Sequence, residues 1–262
     1  MYHRSMKKKL IIGNWKMNPE TLRTARGIVA GIKKAAASAG KVATVICPPT
    51  IYIAEVGRII KGSRVKLGAQ DSSFEKSGAF TGQISPLMLK DCGVNYVIVG
   101  HSERREEGET DEIVNKKLKS AIALGLVAIL CVGEKQRDEH GFYLSTVQEQ
   151  LTLGLKGVQK KDATRVIIAY EPIWAISSHA LRPANPDEIE EMMLYIMKIL
   201  VSIFGKNVAP KMMTIYGGTA NPKDSPAMLA LDHVDGLLVG RESLNPKNFS
   251  KIIRLADTQN KK

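Results

Sequence analysis

The stretch VIIAYEPIWAI, residues 166–176, contains an apolar run that stops at a carboxylate. Val166 to Tyr170 is short, continuous and rich in β-branched residues, which is typical of a strand buried on both faces of a parallel sheet. Glu171 ends the run, and the residues from there to Pro186 follow neither a helical nor a strand period. The stretch therefore predicts a buried strand whose carboxyl end carries an acid and a long loop.

Seven further runs of this kind occur along the chain, and the eight runs start 23 to 46 residues apart. Several of them are separated by stretches with the period of amphipathic helices. The seven runs are LIIGN (10–14), VATVIC (42–47), VKLGA (65–69), YVIVG (96–100), VAILCVG (127–133), MMTIYGG (212–218) and GLLVG (236–240). The helical stretches are Thr21 to Ala37, Asp111 to Leu124, residues 143–157, Pro186 to Phe204, and two that open at Asn221 and Asn245, each before a proline.

Eight strands that alternate with helices over about 250 residues indicate an α/β chain folded as a (β/α)8 barrel. A doubly wound parallel sheet is the alternative, although that fold usually has fewer strands and a glycine-rich turn after the first one. No GxGxxG follows the first run here. No linker or repeat divides the chain, so we expect one domain, with the barrel at 7–258 and short tails at 1–6 and 259–262.

The composition is that of a globular chain, with 44% hydrophobic and 24% charged residues. No apolar stretch approaches the roughly 18 residues of a membrane span, so we expect none. Three cysteines, Cys47, Cys92 and Cys131, are an odd number without metal-ligand spacing. We interpret them as buried free thiols, which favours a cytoplasmic protein because free thiols persist in a reducing compartment.

The formal net charge is +12, and such a field attracts anions, whether a nucleic acid or a small phosphate compound. The basic residues are scattered, and no zinc-finger, RNP or basic–aromatic pattern accompanies them. We interpret most of them as solvated surface charge, and we expect neither a nucleic acid nor a membrane as a partner.

Polar residues and glycines collect where the apolar runs end. In a (β/α)8 barrel the chemistry takes place at the carboxyl ends of the strands. Those ends carry a cation, an imidazole, a carboxylate and two glycine turns, and the turns follow the seventh and eighth runs, where such barrels usually bind phosphate. The residues are Asn14 and Lys16, His101 to Arg104, Glu171, Gly217 to Thr219, and Gly240 with Arg241.

Six motifs occur in the order and spacing of a known enzyme family: GNWKMN (13–18), GHSERR (100–105), CVGE (131–134), YEPIWAI (170–176), YGGT (216–219) and GLLVG (236–240). Over residues 7–256 the chain resembles the triosephosphate isomerase family, whose fold is the (β/α)8 or TIM barrel. The resemblance implies reversible interconversion of dihydroxyacetone phosphate and D-glyceraldehyde 3-phosphate through an enediolate. This step of glycolysis and gluconeogenesis uses no cofactor.

The resemblance also implies roles for single residues. Glu171 is the base that moves a proton between two carbons, and His101 is the electrophile, which stays neutral at the start of the helix that follows. Lys16 supplies a fixed positive charge near the developing enediolate, Asn14 adds a hydrogen bond, and Glu103 supports the site from outside the substrate pocket.

The phosphate and the lid follow from the same resemblance. The phosphate is bound by Asn14, Lys16 and the backbone N–H groups of Ser177, Thr219, Gly240 and Arg241. The loop after Glu171 corresponds to a lid, which protects the enediolate from water. Its tip consists of Ile176, Ser177 and Ser178.

The lid region departs from the family pattern. Residues 177–180 read SSHA where the family has a sequence like GTGK, and the segment up to Pro186 is longer and contains Pro183. Serine lacks the conformational freedom of glycine, and proline restricts both its own φ and the preceding residue. We therefore expect altered lid closure. Arg241 also stands where a second glycine is usual.

The connection from Gln70 to Ser85 is far longer than the two to six residues that are usual between a strand and its helix. We expect its phenylalanines to dock into a second subunit near Asn14 and Lys16; packing on their own barrel is the alternative. The expected homodimer contacts are Phe74, Phe80, Thr81, Gln83 and Arg104. Gln83 replaces a family acid that pairs with the arginine at 104 across the dimer, so a hydrogen bond replaces a charge pair.

Two other functions remain open at this point. The chain could be a barrel relative that binds a phosphorylated ligand but turns it over poorly because of its lid, or a basic nucleic-acid-binding module. The complete set of Asn14, Lys16, His101 and Glu171 favours the active isomerase over the first. The missing recognition motifs disfavour the second.

Overall fold

The computed structural model describes residues 8–176 and 182–259. Eight parallel strands pair in chain order, and the first also pairs with the eighth, with Leu10 opposite Gly236. This closure confirms the (β/α)8 barrel and excludes the doubly wound sheet, which has no closing pair. The strands are β1 (Lys9–Asn14), β2 (Val42–Cys47), β3 (Val65–Ala69), β4 (Tyr96–Val99), β5 (Val127–Val132), β6 (Val166–Tyr170), β7 (Met213–Tyr216) and β8 (Gly236–Val239).

The described residues form nine α-helices that pack around the barrel. They are α1 (Leu22–Ser38), α2 (Ile53–Ile60), α3 (Pro86–Asp91), α4 (Ser102–Glu106), α5 (Asp111–Ala123), α6 (Phe142–Gly154), α7 (Pro186–Phe204), α8 (Ser225–Ala230) and α9 (Pro246–Gln259). Within this described part of the chain, none of the helices has the length and apolar character needed to cross a membrane.

Capping residues decide where two of the helices begin. Asn185 and Glu188 form a capping box at the start of α7, with Pro186 as the first helical residue. The helix expected to open at Asn221 begins only at Ser225. The reason is that the Asn221 side chain accepts the N–H groups of residues 223 and 224, which makes a turn first.

Other features of the helices also differ from expectation. Helical periodicity did not reveal α2, and a helix at α4 was expected only from the family resemblance, because elements of 8 and 5 residues are too short to display a clear helical period. α6 ends at Gly154, three residues before the expected end at 157. α9 reaches Gln259, one residue past the expected end of the barrel domain, and the expected tail at 1–6 lies outside the described residues.

The continuous apolar runs are explained by burial on both faces of the barrel wall. One set of side chains fills the interior and includes Ile12, Val45, Ile98, Ile129 and Ile215. The alternate set packs against the helices in a larger cluster. A strand with two buried faces has no polar side, so its sequence cannot alternate.

The three cysteines are free. Cys47 and Cys131 lie in the barrel interior and are fully buried, and burial raises the pKa of the Cys47 thiol. The expectation of a buried thiol is wrong for Cys92, which caps α3 at the surface and is exposed.

Gly236 is required by the closing strand pair, and this can be tested. A Cβ at Gly236 would lie 1.9 Å from the carbonyl oxygen of Leu10. We expect Gly236→Ala to lower the free energy of unfolding by at least ~3 kcal/mol because the two strands must separate locally. The matched control is Gly27→Ala in the exposed part of α1, where a Cβ meets nothing within 4 Å.

The control should raise stability by about 0.5–1 kcal/mol, since alanine favours a helix over glycine. The measurement is the thermal midpoint of unfolding of the wild type and both variants at one protein concentration. Equal midpoints for Gly236→Ala and the wild type would contradict the stated need for glycine.

Candidate active site

Five strands bring the expected residues to one end of the barrel. Asn14 is the last residue of β1, His101 lies two positions after β4, and Glu171 follows β6. Gly217 follows β7 and Gly240 follows β8. Because the strands are parallel and form a closed ring, these ends surround one space.

Glu171 is fixed at the end of β6 by contacts of both its backbone and its side chain. Its N–H donates to the carbonyl of Val132 at 2.8 Å, which continues the strand pairing by one residue. Its Oε2 accepts the backbone N–H of Ser102 at 3.1 Å, and its Oε1 lies 3.3 Å from Nε2 of His101. The carboxylate is only 2% exposed, so these two polar contacts largely define its surroundings.

Two glycines make room for Glu171. A Cβ at Gly133 would lie 1.8 Å from the Glu171 carbonyl oxygen, and one at Gly217 would lie 2.9 Å from its Cγ. The CVGE and YGGT motifs therefore need glycine at these two positions. Cys131 lies beside the carboxylate and keeps its proton, because burial and then the charge of Glu171 raise the pKa of the thiol.

One imidazole nitrogen of His101 accepts a hydrogen bond from the backbone. Its Nδ1 accepts the N–H of Glu103 at 3.2 Å. A nitrogen that accepts a hydrogen bond carries no proton, so the proton of this ring is on Nε2 and the imidazole is neutral. Nε2 lies 3.3 Å from Oε1 of Glu171, and the residue is 6% exposed.

Lys16 has a backbone conformation that is uncommon for an L-residue. Its φ is 51°, in the left-handed region, which costs roughly 1–2 kcal/mol for a residue with a Cβ. Its N–H donates to Oδ1 of Asn14 at 3.1 Å, and its Nζ lies 2.6 Å from Oε1 of Glu103. The other oxygen of the Glu103 carboxylate, Oε2, lies 3.7 Å from Nδ1 of His101, so Glu103 connects the ammonium group to the imidazole.

The expected phosphate-binding residues border the same space. A Cβ on Gly240 would lie 3.7 Å from Cε of Lys16, and Arg241 begins a short 3-10 turn directly afterwards. Thr219 follows β7, and its hydroxyl donates to the carbonyl of Ala175 at 2.8 Å. Ser177 lies outside the described residues.

The base of the expected lid is anchored to the barrel. Trp174 donates from Nε1 to Oε1 of Glu134 at 2.7 Å, and the Tyr170 hydroxyl donates to the same oxygen at 2.9 Å. Glu134 is 1% exposed, and burial raises the pKa of its carboxyl group. Ile176 is the last described residue of this segment, and the expected tip residues Ser177 and Ser178 are outside the described part.

Arg182 lies on the far side of the expected lid. Its guanidinium lies 4.9 Å from the ring centre of Trp174 and donates to both carboxylate oxygens of Glu188 at 2.6 and 2.8 Å. The residue therefore connects the start of α7 to the indole at the base of the lid.

The expected dimer residues lie on and beside the loop after β3. Phe80 is 47% exposed, and Thr81 and Gln83 are also exposed. Phe74 is half-buried, with its ring centre 5.3 Å from the ammonium of Lys116 in the same chain. Arg104 has two acidic partners within its own chain, Glu107 and Asp71, and its Nε lies 3.4 Å from Asp71 Oδ2.

Three contributions to the site were not predicted from the sequence: the contact of Ser102 with Glu171, and the roles of Glu134 and Gln70. Ser102 lies in the expected stretch from His101 to Arg104, but it acts through its backbone N–H, which no side-chain pattern reveals. Glu134 belongs to the CVGE motif, but its role depends on Tyr170 and Trp174, which are distant in the chain. Gln70 is the first residue after β3, and its contacts are described below.

Comparisons with known proteins agree with this geometry. The family model described as triosephosphate isomerase matches residues 9–256. A triosephosphate isomerase of Carboxydothermus hydrogenoformans is 41% identical over 251 residues, which are 95% of this chain and 99% of the relative. One from Clostridium botulinum is 42% identical over 250 residues, with the same coverage.

A solved structure of triosephosphate isomerase from Bartonella henselae is also similar. It superposes with a TM-score of 0.83 at 33% identity and covers 95% of this chain and 98% of its own. The fold is therefore shared over nearly the whole chain. The chain belongs to the triosephosphate isomerase family and is an isomerase.

Proposed function

We propose that Glu171 and His101 carry out the reaction of this family, the reversible interconversion of dihydroxyacetone phosphate and D-glyceraldehyde 3-phosphate. The observation that carries the proposal is the 3.3 Å approach of a buried carboxylate and a neutral imidazole at the mouth of the barrel. A C–H beside a carbonyl is a very weak acid, so a base and an oxyanion stabiliser must act on it together.

Glu171 takes the proton from the carbon beside the carbonyl, and the electron pair of that C–H bond forms the carbon–carbon double bond of the enediolate. The Nε2–H of His101 donates to the oxygen on which the negative charge develops. The hydroxyl proton on the carbon that lost its hydrogen moves to the former carbonyl oxygen, and Glu171 returns its proton to the former carbonyl carbon. The electron pair left on the first oxygen forms the new carbonyl, which exchanges ketose for aldose. The proton and electrons balance within the substrate, so the reaction needs no external oxidant or reductant.

Lys16 supplies the fixed positive charge of the site. Its ammonium, held by Glu103, stabilises the developing enediolate and attracts the dianionic phosphate. We assign phosphate binding to Lys16, Asn14 and the backbone N–H groups of Ser177, Thr219, Gly240 and Arg241. The proximity of Gly240 to the Lys16 side chain supports this assignment.

Free thiols at Cys47, Cys92 and Cys131 and the glycolytic reaction of the family support a cytoplasmic location, which we also propose.

Glu171→Asp tests the base. The change keeps the charge but withdraws the carboxylate by one methylene, and misplacement by about an ångström can cost on the order of a hundredfold in rate. We expect kcat to fall by that amount with little change in KM, in an assay coupled to an indicator enzyme. Glu149→Asp on the exposed face of α6 is the matched control and should leave kcat unchanged. A Glu171→Asp variant with nearly full kcat would remove Glu171 from this role.

We also propose that the segment starting at Ile176 closes over the substrate. It is anchored on one side by Trp174 on Glu134, and on the other by Arg182 on Glu188. The Thr219 hydroxyl connects this base to the loop after β7. A segment anchored at both ends can move as a unit about its two attachment points.

Deletion of residues 176–179 should leave the barrel folded, because the anchors lie outside the deletion. We expect a severe loss of kcat and release of inorganic phosphate from a larger share of turnovers, since an exposed enediolate eliminates phosphate. The measurement is isomerised product against free phosphate, with the wild type alongside. The lid assignment fails if the deletion variant isomerises as cleanly as the wild type.

A homodimer is the assembly that we propose. Seven large apolar side chains are exposed among the described residues, and five of them follow β1, β2 or β3, which are neighbouring strands. They therefore share one flank of the barrel, and a surface of this kind is typical of a protein interface. The five are Met17, Ile51, Phe80, Leu87 and Met88. We place Phe74, Thr81, Gln83 and Arg104 at the same interface.

Met17→Glu should break the homodimer, because it puts a charge where a 93% exposed methionine would be covered. Leu194→Glu is the matched control, since Leu194 is 49% exposed on α7, away from this flank. Sedimentation at micromolar concentration should show monomers for the first variant and dimers for the control. A monomeric, fully active wild type would contradict the proposal.

A further inference from the structure

Lys16 is the sole non-glycine residue with a positive φ in the described ranges 8–176 and 182–259. Such a conformation persists only where its surroundings hold it. This backbone conformation directs the side chains of Lys16 and Met17 to different places. Lys16 contacts Glu103, whereas Met17 is 93% exposed. The direction of the ammonium group therefore depends on whatever holds the backbone at this residue.

Gln70 holds that backbone from a different strand. Its side-chain Nε2 donates to the carbonyl oxygen of Lys16 at 2.9 Å and to that of Cys47 at 3.0 Å. Both hydrogens of the amide are thus used on backbone carbonyls. The N–H of Lys16 is held by Asn14, so side chains fix the peptide groups on both sides of the strained residue.

Asp71, the residue after Gln70, is held by a buried lysine. Lys117 of α5 donates to both carboxylate oxygens of Asp71 at 2.7 and 2.8 Å, and it lies 2.5 Å from Oε1 of Glu109. The Lys117 side chain is only 6% exposed, so little solvent screens these contacts. These ion pairs fix the chain at Asp71 and thereby limit how far the Gln70 backbone can shift.

We propose that Gln70 is a positioning residue for the reaction, which acts by holding the Lys16 carbonyl and thereby the Lys16 ammonium. The inference rests on the role proposed above for Lys16. An amide is the group that suits this place, because it offers two donors to two carbonyl acceptors. A carboxylate of the same shape would set its oxygens against both carbonyls. An apolar side chain would remove the Gln70 donor from the Lys16 carbonyl, whereas the Cys47 carbonyl would keep the N–H of Trp15.

The direct test is a double-mutant cycle of Gln70→Met and Lys16→Met. We expect Gln70→Met alone to lower kcat/KM by about tenfold or more, because the Lys16 ammonium is no longer held in position. Added to Lys16→Met, the same change should lower kcat/KM by less than about twofold, since the group on which it acts is already gone. Gln159→Met is the matched control at an exposed glutamine and should leave kcat/KM unchanged in both backgrounds.

Two further measurements separate positioning from a general loss of structure. Gln70→Glu should be impaired at least as much as Gln70→Met, although it is closer in shape to glutamine. The rise in thermal midpoint caused by inorganic phosphate should be reduced by Gln70→Met in the wild-type background but not in the Lys16→Met background. This readout requires no turnover, so it works even where the activity of Lys16→Met is too small to measure.

The outcomes distinguish the two proposals. If Lys16→Met itself leaves kcat/KM unchanged, the role of Lys16 is wrong and the proposed function must be revised. If Lys16→Met lowers kcat/KM but Gln70→Met does not, only the role of Gln70 is overturned. It is also overturned if Gln70→Met costs the same factor in both backgrounds, because it then acts independently of Lys16.

Discussion

Two successive backbone amides at the start of α4 hold the two groups on which the site depends. The N–H of Ser102 donates to the Glu171 carboxylate, and the N–H of Glu103 donates to Nδ1 of His101. The first N–H groups of a helix have no partner within it, so they are free for such contacts. One short turn therefore positions the proposed base and leaves the proton of the proposed electrophile on Nε2, 3.3 Å from the Glu171 carboxylate.

Closure of the barrel makes this arrangement possible. β4 and β6 are not neighbours in the ring, and only the common end of all strands brings His101 and Glu171 within 3.3 Å. Glu103 extends the arrangement to β1 through its contact with Lys16. The four side chains thus form a connected row across the mouth, because Glu103 contacts both Lys16 and His101, and His101 contacts Glu171.

Most of the fold was predictable because the barrel wall is buried on both faces. Runs such as VIIAY are continuous for that reason, and the carboxyl ends of such runs can be read directly from the sequence. The same reading found Glu171, His101 and Lys16, whose side chains carry charge or chemistry at those ends. It placed Ser102 at such an end but could not show the role of its backbone N–H, and it missed Gln70, whose partners are the carbonyl groups of Lys16 and Cys47. Contacts between a backbone group and a residue distant in the chain depend on how the strands pack, and no local sequence pattern reveals them.

The most direct test is the protonation of His101 itself. Nitrogen NMR of the ¹⁵N-histidine-labelled protein gives the state of each ring nitrogen, and a His101→Gln variant identifies the signals of His101 among the five histidines. The structure predicts, for the free protein at neutral pH, an Nε2 that carries the proton and an Nδ1 that carries none. A proton on Nδ1, or protons on both nitrogens, would contradict the account, because the Glu103 N–H could then not hold the ring and Nε2 could not act as a neutral donor.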